Sequence, residues 1–120
     1  MFPSHDRAAY GATTGANNVA VGYSAGQALT TGSSNIAIGY GALDARTTGS
    51  NAVAIGYEAM FNQTTPYNNT AVGYQALYSN VTGTDNVAVG NGAARQGTGG
   101  QNTAVGKEAL YGVSGSTTGS

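Results

Sequence analysis

The ionisable residues of this chain are few enough to weigh one group at a time. His5, Asp6 and Arg7 stand side by side and would suit acid–base or ligand chemistry. A general acid or base needs positioned partners, yet the chain has no second histidine and no cysteine. The trio therefore reads as a polar lead. Asp44 and Asp85 raise calcium as a candidate ligand. Calcium-binding solenoids place an aspartate in every coil, whereas these two fall at unrelated positions. "GNGAARQGTGG", starting at Gly90, is glycine-rich enough to suggest a phosphate loop. It lacks the G-K-[ST] ending and a following helix that such a loop requires. No catalytic, cofactor or metal site is expected, and the protein reads as a non-enzyme.

Charge and composition exclude further classes. Four basic side chains face five acidic ones, so there is no clustered basic surface for nucleic acid and none for an anionic membrane. No apolar run approaches the roughly 18 residues that span a bilayer. "MFPSHDRAAY" has neither the basic region nor the apolar core of a secretory signal. Leu, Ile and Val together number sixteen, against 20 glycines. So few large apolar groups could hardly offset about 1–2 kcal/mol of backbone entropy per residue in a lone globular core. Disorder, however, is marked by high net charge, and the net charge here is −1. Repetitive β-structure reconciles the two.

The repetition is explicit in "NNVAVGYSAG" and "SNIAIGYGAL". With the glycine of each A-[VI]-G as reference, the series is Gly22, Gly39, Gly56, Gly73, Gly90 and Gly106, at steps of 17, 17, 17, 17 and 16. Fixed-period self-similarity is the signature of stacked units. Two residues before the glycine stand Ala20, Ala37, Ala54, Ala71, Ala88 and Ala104. One before stand Val21, Ile38, Ile55, Val72, Val89 and Val105; three before stand Val19, Ile36, Val53 and Val87, with Thr70 and Thr103. Three after the glycine is always alanine, from Ala25 to Ala109.

Large and small side chains thus alternate ahead of each glycine. In a strand this sends the branched residues to one face and Ala and Gly to the other, where another backbone can approach closely. β-Branching favours a strand and recurrent glycine disfavours a helix. The segment after the glycine, as in "YQALYSN", suggests a second short strand, and "TTG" a turn. The expected fold is all-β: a parallel β-solenoid of about six 17-residue coils over 14–120, preceded by a lead or cap over 1–13. Asn18, Asn35, Asn69, Asn86 and Asn102 stand four before the glycine, with Ala52 the exception. Stacked in register, they would form an amide ladder of the cross-β kind; the competing reading is a simple preference for Asn in the turn.

The motif N-x-A-[VI]-G-Y-x-A-L, present as "NIAIGYGAL" and "NTAVGYQAL", resembles the head repeats of YadA-type trimeric autotransporter adhesins and the related repeats of phage tail fibres. The resemblance covers about residues 14 to 119. It implies a left-handed β-roll and a homotrimer in which each chain hides its aliphatic stripe or its small-residue face against two others. It also implies an extracellular place, as virion tail, cell-surface appendage or free filament. The coil is longer than is usual in adhesin heads and closer to phage and environmental bacterial versions.

Tyr23, Tyr40, Tyr57 and Tyr74 follow the glycine in four coils, where Asn91 and Lys107 follow it in the last two. Because a buried lysine is costly, this column is expected at the surface, as a stacking ladder or a contact for a host glycan or receptor. Thr30–Thr31, Thr47–Thr48 and Thr64–Thr65 would also stack, which makes a monomeric ice-binding solenoid an alternative function. Asn62, Asn68 and Asn80 open N-x-[ST] sequons. "GSTTGS" at the end matches the start of a further coil, and head-to-tail stacking into a filament is the other alternative.

Overall fold

The computed structural model describes residues 15–45, 48–63, 67–79, 83–96 and 99–110. The His5–Asp6–Arg7 trio, the 1–13 lead, Thr47, Thr64, Thr65, Asn80 and the closing "GSTTGS" lie outside the described residues.

The three residues before each reference glycine form one strand: β1 Val19–Val21, β2 Ile36–Ile38, β3 Val53–Ile55, β4 Thr70–Val72, β5 Val87–Val89 and β6 Thr103–Val105. The six pair in parallel, in sequence order, as one sheet. Register follows the repeat, with Ala37 opposite Ala54 and Ile38 opposite Ile55. The 16-residue step still brings Ala88 opposite Ala104, so the missing residue is absorbed outside the strands. This is a parallel β-solenoid, with five coil-to-coil steps between the first strand and the last.

The second strand expected in each coil is absent among the described residues. Ser24, Glu58, Gln75 and Glu108, two after the glycine, have φ of 52–60°. Leu43, Met60, Leu77, Ala94 and Leu110, four after it, have φ of 51–55°. Left-handed residues at every second position cannot make a β-strand. They make a stacked turn that nevertheless ladders between coils. The Glu58 N–H donates to the Tyr40 carbonyl one coil back (2.7 Å), and the Met60 N–H to the Ala76 carbonyl one coil ahead (2.9 Å). A third left-handed column lies five before the glycine, at Asn17, Ser34, Asn51, Asn68, Asp85 and Gln101, with φ of 58–65°. Most of these are Asn or Asp, which adopt this region more readily than other non-glycine residues.

The interior is narrow and made of small groups. The strand alanines from Ala37 to Ala104 point inward and are buried. Ala25, Ala42, Ala59, Ala76 and Ala93 meet them from the stacked turn, and Leu43, Met60 and Leu77 fill what remains. In the first coil Gly26 occupies the place of that leucine. Leu29 enters instead, its Cδ1 lying 2.9 Å from where a Gly26 Cβ would stand. With about one large side chain per coil, most of the cohesion rests on backbone hydrogen bonds, each worth a net 0.5–1.5 kcal/mol or so.

Candidate functional site

The repeat leaves three columns of side chains for the site to be built from: an inward amide column, an outward aliphatic face and an outward aromatic column.

The amides at the fourth position before the glycine are buried, except for Asn18, which is half-buried in the first coil. They do not bond chiefly to one another. Asn35 Oδ1 accepts from the Ala52 backbone N–H (2.9 Å) while its Nδ2 donates to the Gly49 carbonyl (3.0 Å). Asn18, Asn69 and Asn86 repeat this double contact to the coil ahead. Only at Asn102 does an amide also reach an amide, Asn86 Oδ1 at 3.2 Å. Each side chain therefore satisfies a corner of backbone that turns too sharply to pair by itself, which buried backbone requires. The carbonyl acceptors belong to the glycine seven before the reference, and a Cβ on Gly32 would overlap the Gly49 carbonyl oxygen. Where the amide is missing, at Ala52, the residue aligned with that glycine in the next coil is Pro66. Gln63, fully buried, then donates to the Gly83 carbonyl at 3.3 Å beside Asn69.

The branched residues of the strands point outward. Val19, Val21 and Val87 are 46%, 38% and 38% exposed, and Val105 in the last strand 68%. Ile36, Ile38, Val53, Ile55, Thr70, Val72 and Val89 are half-buried. Of the two faces set up by the alternation, the coil encloses the alanine one. The aliphatic one is a strip of Val, Ile and Thr without a charged residue.

Tyr23, Tyr40, Tyr57 and Tyr74 stand at the edge of this face, 43–48% exposed. Their ring centroids are 5.4, 5.1 and 5.2 Å apart with planes within 12° of parallel, well inside the range for offset stacking. The faces of the rings are turned to one another, so an incoming sugar would meet ring edges and hydroxyls. Phe61 and Tyr78 stack likewise at 5.3 Å, and the Arg95 guanidinium lies 5.2 Å from the Tyr78 ring. Arg95 Nε donates to Gln75 Oε1 (2.7 Å), and Gln75 Nε2 to Glu58 Oε1 (2.8 Å). The Glu58 carboxylate, chiefly, raises the Tyr57 phenol above its ordinary pKa, with burial and the neighbouring phenols adding to it.

Of the threonine pairs, Thr30 is half-buried, and Thr31 and Thr48 are exposed. Asn62 is half-buried; Asn68 is exposed, bridging the Asn51 and Asp85 side chains. No group of three His, Cys, Asp or Glu that could hold a metal occurs among the described residues. No described helix is long and apolar enough to cross a membrane.

No protein-family model, curated protein or solved structure matches the chain.

Proposed function

We propose that this chain is a non-enzymatic structural and adhesive rod whose aliphatic face packs against two further copies of itself. The fibre would be of the phage tail-fibre or bacterial surface-adhesin type. The observation that carries the reading is the outward direction of the Val and Ile columns on an all-parallel sheet. Parallel sheets occur almost only with both faces covered, and this one covers a single face with its own interior. A second copy suits the other face better than an unrelated partner does. The strip is uncharged, and its rows recur at the coil spacing, so an identical strip presents ridges and grooves of the same period. Threefold closure is what the resemblance to trimeric adhesin heads adds, and a place outside the cell goes with it. The tyrosine column, at the edge of the packed face, stays open to a glycan or protein receptor through its ring edges and hydroxyls.

Lysine substitution on the strip tests this. In a single chain, Ile38→Lys and Ile55→Lys can each carry the ammonium out to water along the flexible stem. Between packed faces the same charges are buried without partners, at a cost of several kcal/mol. The double variant is expected to weaken association by about a hundredfold or more and to sediment as single chains with wild-type far-UV circular dichroism. A variant that keeps the wild-type sedimentation coefficient would contradict the proposal.

A further inference from the structure

The tyrosine column combines three properties that matter to phenol chemistry. Its four rings are exposed, nearly parallel, and held 5.1–5.4 Å apart in successive coils. The spacing is fixed from below by the backbone, since the N–H after each tyrosine donates to the carbonyl of the tyrosine one coil back, as from Gly41 to Tyr23 (2.9 Å) and Gln75 to Tyr57 (2.8 Å). Tyr67 is equally exposed, at 47%, but its column neighbours are Ser50 and Thr84, and among the described residues no ring stacks on it.

We propose that this column is an oxidative coupling site, where phenols of adjacent coils join carbon to carbon as dityrosine. A one-electron oxidant, such as a peroxidase supplied with hydrogen peroxide, takes one electron and one proton from each of two phenols. The two phenoxyl radicals carry unpaired spin on their ortho carbons, which combine in a new bond between the rings. Each coupled carbon then gives up its hydrogen as a proton, and each oxygen regains one. The pair loses two electrons and two protons in all, and the peroxide is reduced to two waters.

Holding two reactants side by side makes the step effectively unimolecular and can be worth many orders of magnitude in effective concentration. Coupling within one chain therefore outruns coupling between chains. Its product is a covalent rung between coils that otherwise hold each other only through nearest-neighbour contacts. The oxidised rod resists unzipping from its ends.

The full-length protein, treated with peroxidase and peroxide at micromolar concentration, reads this out. Dityrosine fluorescence is expected to rise at a rate that dilution does not change, with the chain losing two hydrogens per bond. Peptide mapping is expected to find Tyr23–Tyr40, Tyr40–Tyr57 or Tyr57–Tyr74 pairs. Tyr23→Phe with Tyr57→Phe keeps the stack but leaves no two neighbouring phenols in the column. That variant, with its fold checked by circular dichroism, should lose about tenfold or more of the intrachain product. The proposal is overturned if cross-links between chains predominate, if Tyr67 couples as often as the column does, or if the double variant gives the wild-type yield.

Discussion

Gly56→Ala is expected to destabilise the solenoid by about 3–5 kcal/mol, the combined scale of a glycine-only backbone conformation and an overpacked interior. Two independent facts make the position severe. Its φ is +134°, where a side chain is strained whatever space surrounds it, and a Cβ there would lie 2.6 Å from the Gly73 oxygen and 2.7 Å from its carbonyl carbon. The obstacle is backbone, which cannot swing aside as a side-chain tip can. Gly56 N–H also donates to the Ile38 carbonyl at 2.8 Å, so a shift that relieved the contact would break the ladder on the other side. Thermal melts of the variant check the prediction. A melting temperature within a degree or two of wild type would mean that the coils are not in contact at this column.

Asn35→Ala is expected to cost about 2–4 kcal/mol, because a buried donor stripped of its partner loses its full desolvation energy and the amide leaves a small void. The Ala52 N–H loses its acceptor, and the Gly49 carbonyl loses the bond from Nδ2. Solenoid energetics are nearest-neighbour in character, so hydrogen exchange should quicken first at Ala52 and Val53 and least in the strands farthest from them. Uniform quickening along the rod, or none, would contradict a local backbone staple. The same substitution at exposed Asn68, whose amide bridges the Asn51 and Asp85 side chains on the surface, should cost well under half as much.

The period, the parallel register and the strands were all legible from six aligned glycines, since stacking in register is what a fixed period dictates. The stacked turn was not. "YEAMFNQ" carries ordinary-looking residues, Glu58 and Met60, at positions that adopt φ above 50°. Neither residue advertises that conformation, and the tertiary ladder imposes it. A signal was nonetheless present: glycine occupies one of these two columns at Gly26, Gly41 and Gly92, as it would where φ must be positive. Alternation likewise defined two faces but not which of them the coil encloses. That choice is one of width, because the coil interior already holds alanines from both sides plus one leucine or methionine, leaving no room for a row of valines and isoleucines.

The amide column shows a similar gap between what repeats and why. Recurrence of Asn18, Asn35, Asn69, Asn86 and Asn102 suggested amides bonding to amides. The partners are instead mainly backbone groups of the coil ahead; in the sequence, the one coil without the amide, at Ala52, is followed by Pro66 at the position of the acceptor glycine.

Solution mass tests the central claim most directly: that an enclosed alanine interior leaves the aliphatic face to be covered by other copies of the chain. Multi-angle light scattering on the purified protein should give three times the single-chain mass of 11.9 kDa, unchanged on dilution through the micromolar range. A monodisperse species of one chain mass, with the strip of valines and isoleucines left facing water, would contradict it.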